Sequence, residues 1–314
     1  SGWDTLADQY GFAVAYPQQQ SANNIESCFN WFDGATDDVR GAGEAESIDE
    51  MVQYEITTHG IDPSRVFITG FSSGAAMTSV MAATYPDVFA AASIMEGLPY
   101  ACATTETDAF TCMNPGVTKT ADQWGALVKA AYTATAFPRV QIWVGTADTT
   151  VAPMNAQQLA LQWTDVAGVA MNPTGTGTVG SASWTDYGSA VEVFEVSGMD
   201  HAVALGDDGS IACPGTATTY FEDHGVCSTV RAAQFFGIVP AYATNGSGSG
   251  SGGNGNGSGS GSDNGGGGGG NGDNNGSGSA GTMLDAGGCN VGGNGAGALI
   301  VIAGVMLGLR RRRA

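Results

Sequence analysis

"RVFITGFSSGAAMTSV", residues 65–80, is the stretch whose reading decides the fold. The apolar run at 66–69 reads as a buried strand, and the small residues from Ala75 onward read as a helix. Between them, Gly70-Phe71-Ser72-Ser73-Gly74 must turn the chain within a few residues. A serine at the apex of such a corner sits in a strained conformation that needs small neighbours, and Gly70 and Gly74 supply the room. The corner lifts the Ser72 hydroxyl above the end of the sheet. The helix that follows aims its unpaired N–H groups and positive dipole at the same place. The G-x-S-x-G pattern alone is weak; a strand directly before it and a helix directly after it make it a nucleophile elbow.

A serine hydroxyl is a poor nucleophile without a base, and the chain has three histidines. His59 precedes Gly60, the stop signal of a helix. His224, in "FEDHGV", lies between acidic residues and reads as a surface group. His201, in "VSGMDHAVAL", directly follows a strand, where loops of such folds carry catalytic groups, and is the expected base. An acid must fix its tautomer and stabilise the imidazolium. Asp148, in "QIWVGTADTTV", stands just past another strand and is the expected acid. The order Ser72, Asp148, His201 is that of α/β-hydrolases. Glu96, at the end of the 89–95 run, is a rival acid or a carboxylate lining the cleft. Asp200 adjoins His201 and is badly placed to reach its ring.

The 314 residues are not of one kind. Residues 1–241 have ordinary globular composition. Residues 242–283 are almost entirely Gly, Ser and Asn, a flexible linker with little apolar surface to bury. Residues 284–314 are expected to form a short apolar helix at 295–309 that ends in Arg310, Arg311, Arg312 and Arg313. Such a segment is short for a bilayer, and its arginines would stop translocation. Lys and Arg number ten, four of them in that final cluster, while all but three of the thirty Asp and Glu lie in the body. A body this acidic repels nucleic acid and anionic lipid; it is a solubility device or an attraction for cationic partners. Six cysteines without CxxC spacing argue against a zinc site. In an exported protein they would pair, locally as Cys102 with Cys112 and Cys213 with Cys227, leaving Cys28 over. No ligand cluster calls for a metal or an organic cofactor. Oligomeric state is not legible.

Outward from the elbow, 2–11 reads as a helix, 12–17 as a short strand and 28–34 as an aromatic loop. A helix follows at 44–59. Then come strands at 89–97 and 139–145, a helix at 154–168, a hairpin around Gly188, and a last helix at 228–237. Strands alternating with helices imply an α/β fold, a mainly parallel sheet with helices on both faces. Trp143 is expected in the core. Trp31 is either an exposed aromatic beside the cleft or a core residue, and Tyr100 is expected to line the cleft.

With these residues in place, 1–240 resembles the extracellular esterase family of poly(3-hydroxybutyrate) depolymerases, which includes feruloyl and acetylxylan esterases. The stretches that carry the likeness are "GWDTLADQYGF", "CFNWFD", "HGIDPSRVFITGFSSGAAMTSVMAATYPDVFA", "GLPYACA", "GTADTTV" and "GMDHA". It implies an α/β-hydrolase fold and serine hydrolysis of carboxylic esters, with Ser72, Asp148 and His201 in the roles already read. The implied partner is a polyester or ester substrate. The tail, with Cys289 before the apolar run, resembles myxobacterial-type sorting tails and implies a protein on the cell surface that meets the membrane only through its tail.

One departure follows. The family's His-Gly-Cys segment, whose strand lies between those matching 12–16 and 65–69 and whose loop gives an oxyanion donor, is absent from the sequence. The N-terminal strands are therefore expected to be missing, as is a secretion signal before Ser1. The sheet centre is expected to be left unpaired, and Cys28 to lack its partner. The remaining oxyanion donor is expected to be the Ser73 N–H.

Overall fold

The computed structural model describes residues 1–209, 211–240 and 299–303, the last as a backbone course. Helix α1 (Trp3–Tyr10) buries Trp3 and Leu6 and ends at Gly11, whose φ of 69° an L side chain rarely adopts. Strand β1 (Ala13–Ala15) leads through the aromatic loop to α2 (Gly43–His59). Next come β2 (Val66–Phe71), the elbow, α3 (Ser73–Thr84), β3 (Ala91–Met95), α4 (Glu106–Met113) and α5 (Ala121–Ala131). Strand β4 (Arg139–Gly145) and α6 (Met154–Ala167) precede the meander β5 (Gly175–Val179), β6 (Ala182–Tyr187) and β7 (Val191–Val196). The short pair β8 (Val203–Leu205) and β9 (Phe221–Asp223) precedes α7 (Ser228–Phe235), and β10 (Leu299–Ala303) comes last.

Eight strands form one sheet in the order β1-β10-β2-β3-β4-β7-β6-β5. The first six run parallel, and β6 and β5 add antiparallel pairs at one edge. Alternation along the strands splits the core. Val66 and Ile68 of β2 and Val140, Ile142 and Val144 of β4 face the side packed by α2, α3, α5 and α6. Phe67 and Trp143 face the side packed by α1 and α7. There Phe67 stacks on Phe236 at 4.9 Å and Trp143 on Phe194 at 3.9 Å. Every residue of α3 is buried, which explains its small side chains: only Ala, Gly, Ser and Thr, with a few larger residues, let the helix lie so close to β2 and β3.

The expected α/β architecture is present, including the hairpin around Gly188. Helices α4 and α5 and strands β5, β8 and β9 were not expected. At the C-terminal run the expectation needs correcting. Residues 299–303 form a strand, not part of a helix, and they occupy the position between β1 and β2 that was expected to be empty. Val301 pairs with Ala15 on one side and Ile68 on the other, so both ladders are closed. Five residues, four of them aliphatic and β-branched or Leu, suit an interior strand of a parallel sheet. Among the described residues no helix is long and apolar enough to cross a membrane. The expected linker at 242–283 and the remainder of the 284–314 tail lie outside the described residues.

Both expected disulfides, Cys102–Cys112 and Cys213–Cys227, are formed, and Cys28 is a free, half-buried thiol.

Candidate active site

The elbow forms as its glycines require. Ser72 has φ 57° and ψ −122°, a conformation costly for any residue with a β-carbon. The turn is over-determined from several sides. The Ser72 N–H donates to the Met95 carbonyl at 3.0 Å, while the Ser72 carbonyl accepts from the N–H groups of Ala75 and Ala76 at 2.9 and 3.0 Å. Ser73 opens α3, where first-turn N–H groups have no intrahelical acceptor. Its hydroxyl accepts from the Phe29 N–H at 3.4 Å, tying the aromatic loop to the elbow.

Asp148 lies three residues past the end of β4, and His201 five past the end of β7. The His201 loop folds over the end of β4 because residue 145 is glycine: a β-carbon there would lie 2.3 Å from the Met199 carbonyl oxygen and 2.7 Å from that of Asp200. The close approach lets the Ala147 N–H donate to the Met199 carbonyl at 2.9 Å. As a result His201 Nδ1 lies 2.7 Å from Asp148 Oδ2, and His201 Nε2 lies 2.9 Å from Ser72 Oγ. The Phe71 ring sits 4.8 Å from the imidazole and limits its rotation.

Asp148 is 4% exposed, yet its other oxygen, Oδ1, accepts the N–H groups of Thr150 and Val151 at 2.7 and 2.9 Å. Burial raises its pKa, but hydrogen bonds from His201, Glu96 and Val151 outweigh burial and hold the carboxyl below the ordinary value. Asp148 is thus an anion near neutral pH, and Nδ1 of His201 carries the proton donated to it. That leaves the Nε2 lone pair for the serine hydroxyl. Glu96 joins the group: one oxygen each from Glu96 and Asp148 and one nitrogen of His201 lie within 4.8 Å of one another. Such a set can in principle hold a cation. Here the imidazole is engaged by Ser72 and Asp148 at hydrogen-bonding distance, which is the arrangement of a proton relay.

Of the other candidates, His59 ends α2 with its ring 3.7 Å from Glu55. His224 is not a surface group; its side chain is 16% exposed, held by Glu222 at 3.1 Å and Ser181 at 3.3 Å. Asp200 reaches the Thr149 N–H at 3.4 Å, not the imidazole.

A cleft of about 440 Å³ opens over Ser72 and Ser73. Trp31, Phe32, Leu98, Phe110, Met113 and Val151 give it an apolar lining; Asn24, Asn30, Glu26 and Glu106 add polar groups, and among the described residues no Lys or Arg lines it. Trp31 is the core residue of the two readings, 6% exposed, and it also lines the cleft. Tyr100 needs correction. It is buried away from the cleft lining, with its hydroxyl turned to the Asp38 carbonyl at 3.5 Å, and burial pushes its pKa up to about 12. Leu98 lines the cleft and Tyr100, two residues on, is buried. The sequence reading missed the α4 wall, Ala109, Phe110 and Met113. The Cys102–Cys112 bridge was the available signal, since it closes a short loop that this wall must occupy.

Residues 2–184 match the family described as "Esterase PHB depolymerase". The chain belongs to this family. Among curated members and relatives, it is 46% identical to poly(3-hydroxyalkanoate) depolymerase C of Paucimonas lemoignei over 246 residues, covering 76% of this chain and 59% of the relative. It is 38% identical to feruloyl esterase B of Talaromyces stipitatus over 213 residues, 64% of this chain and 58% of the relative. It therefore spans less than two thirds of the length of these two proteins. The solved structure of the acetyl xylan esterase from Aspergillus awamori superimposes with a TM-score of 0.61 at 29% identity, covering 76% of this chain and 82% of that one. The mostly parallel sheet of this Esterase PHB depolymerase family member is thus the α/β-hydrolase arrangement, with the elbow after β2.

Proposed function

We propose that the protein is a serine hydrolase of carboxylic esters. The observation that carries this is the unbroken chain from Ser72 Oγ through His201 to Asp148, with contacts of 2.9 and 2.7 Å, which starts from a serine lining an apolar cleft. Ser72 Oγ attacks the ester carbonyl carbon while His201 Nε2 takes its proton. The carbonyl electron pair collects on oxygen, opposite the first-turn N–H of Ser73. As the tetrahedral species collapses, the C–O bond to the alcohol breaks and His201 returns the proton to the leaving oxygen. Water then attacks the acyl-serine with His201 as base, releasing the acid and restoring the serine. No metal or organic cofactor has a step here.

The cleft supports a neutral, compact acyl group. Its walls are mainly aliphatic and aromatic, and among the described residues no Lys or Arg lines it to hold an acyl carboxylate. Polyhydroxyalkanoate polyester or its oligomers fit that chemistry, and the depolymerase of Paucimonas lemoignei is the relative of highest identity quoted above. Feruloyl or acetyl esters of plant cell-wall polysaccharide are the second reading, favoured by the similarity to feruloyl and acetylxylan esterases. The two disulfides support an extracellular or cell-surface location. Attachment through a sorting tail at 284–314 is part of the same reading.

A fluorophosphonate probe should label Ser72 in the full chain and fail to label the Ser72→Ala variant. Protein not exposed to the probe should release hydroxyacid oligomers from polyester film faster than ferulate or acetate from xylan esters. A protein that hydrolyses only the xylan esters supports the second reading. A folded protein that takes no label is a binding protein with a hydrolase scaffold, and the proposal fails.

A further inference from the structure

Glu96 is the one buried ionisable group beside the catalytic chain that the mechanism above leaves without a task. It follows β3 and sits at φ 53°, a left-handed conformation that is costly for a non-glycine residue and needs a reason. Its surroundings hold it there. Its N–H donates to the Trp143 carbonyl at 2.9 Å, and its Oε1 accepts the Gly145 N–H at 2.6 Å. It is 1% exposed. Its second oxygen, Oε2, is fully buried and has no hydrogen-bond donor among the described residues, and the carboxyl lies against that of Asp148. Two carboxylates cannot rest together in so dry a place unless one carries a proton. Asp148 is committed to the charged form by two backbone N–H groups and an imidazole. Glu96 has a single donor, so the proton belongs to Glu96.

We infer that Glu96 is a positioning residue held as the neutral acid, whose O–H donates to the Asp148 carboxylate and fixes it against His201. The proton is not transferred in the reaction. It keeps a single negative charge behind the imidazole and gives Asp148 a further donor, so the carboxylate cannot swing off Nδ1 when the imidazolium forms. Burial, then the neighbouring Asp148, raise the Glu96 pKa well above the ordinary value, in keeping with this assignment. The inference rests on the hydrolase reading, in which His201 and Ser72 react.

The test is the pH profile of kcat/KM on a p-nitrophenyl ester, taken for full-length wild type, Glu96→Gln and Glu96→Met. Glutamine keeps both contacts of the neutral acid: its oxygen accepts from Gly145 and its amide donates to Asp148. Glu96→Gln should retain kcat within about threefold and leave the midpoint of the acid limb unmoved. Glu96→Met fills the space without a donor; kcat should fall about tenfold or more, with KM little changed and the acid limb displaced upward by about half a unit or more. If Glu96 were ionised, Glu96→Gln would remove a charge close to the imidazole and move the acid limb downward, which overturns the inference. A Glu96→Met variant that loses thermal stability while keeping the wild-type profile also overturns it, because the residue would then act only in packing. Carboxyl 13C resonances of the wild type give an answer independent of turnover: the Glu96 signal should show the protonated form at neutral pH, and an ionised signal refutes the assignment. If wild type neither turns over nor labels at Ser72, the hydrolase reading has failed on its own, and the 13C signal still decides the protonation state of Glu96.

Discussion

The Asp148→Asn replacement should nearly abolish turnover, and the structure says which way the new amide will face. Oδ1 of Asp148 accepts two backbone donors, Thr150 and Val151, at 2.7 and 2.9 Å. Only an acceptor satisfies both, so the amide oxygen of the variant must take that place and its NH₂ must point at His201. The NH₂ group donates to Nδ1, which then has to be the unprotonated nitrogen. Nε2 consequently carries the proton and points it at Ser72 Oγ, 2.9 Å away. The base has lost its lone pair where it is needed, and the imidazolium has lost its counter-charge. The expected loss is about 10⁴ in kcat, about 5.4 kcal/mol of transition-state stabilisation, the size found for the same replacement in serine protease triads. KM should change little, because Asp148 does not line the cleft. The assay is steady-state hydrolysis of a p-nitrophenyl ester, with fluorophosphonate labelling rate as a substrate-independent check and thermal melting to show that the variant is folded. A folded Asp148→Asn enzyme within tenfold of wild type would refute the assignment of Asp148, and with it the tautomer argument.

Cys102→Ser with Cys112→Ser removes a cross-link with a sequence separation of 10, worth about 2.7 kcal/mol by loop-closure entropy; melting should shift down and KM for apolar acyl esters should rise as α4 loosens, whereas an unchanged KM would detach the bridge from the cleft. Burial pushes Asp38, Glu44 and Glu192 up to about 6, about 7 and about 7. The native state then binds more protons than the unfolded chain from about pH 4 to pH 7, so stability should be greatest at the acid end of that window and fall as pH rises through it. The melting temperature should drop from about pH 5 to pH 8 and drop less in Glu192→Gln; a rise over that range contradicts the assignment. Val301→Pro with Ile302→Pro removes ladder donors of an interior strand and should lower stability by about 3 kcal/mol or more, while an unchanged melt would mean that 299–303 is not needed in the sheet.

The parts that could be read from the sequence are those fixed by local constraints. The elbow is legible because Gly70, Ser72 and Gly74 answer to one backbone conformation within five residues. The strands carrying Asp148 and following Phe89 are legible because unbroken apolar runs suit parallel strands covered on both faces. Helix α5 has a local start signal, the Thr120–Gln123 capping box. Strand β5 carried almost none: Gly-Thr-Gly-Thr-Val has weak strand propensity and forms because Gly175 and Gly177 lie under the Trp184 ring of β6. Residues 299–303 are apolar in a way that suits a helix or a strand equally. The arginines beyond them favoured a membrane reading. What decides the strand is a gap between β1 and β2, which is a property of the whole sheet.

The site is a further step removed from local sequence, because it is assembled by strand order. The neighbours β2, β3, β4 and β7 each deliver one group at the same edge: Ser72, Glu96, Asp148 and His201. Adjacent strands lie about 4.8 Å apart, so β7 is about 14 Å from β2. His201 cannot reach Ser72 from its own strand end; its loop must come back over β4. Gly145 permits that return, since any side chain there would collide with the carbonyls of Met199 and Asp200. The same residue donates its N–H to Glu96 and so ties β3 to the crossing loop. Four side chains distant in sequence meet because a single position in the middle of the group has no side chain.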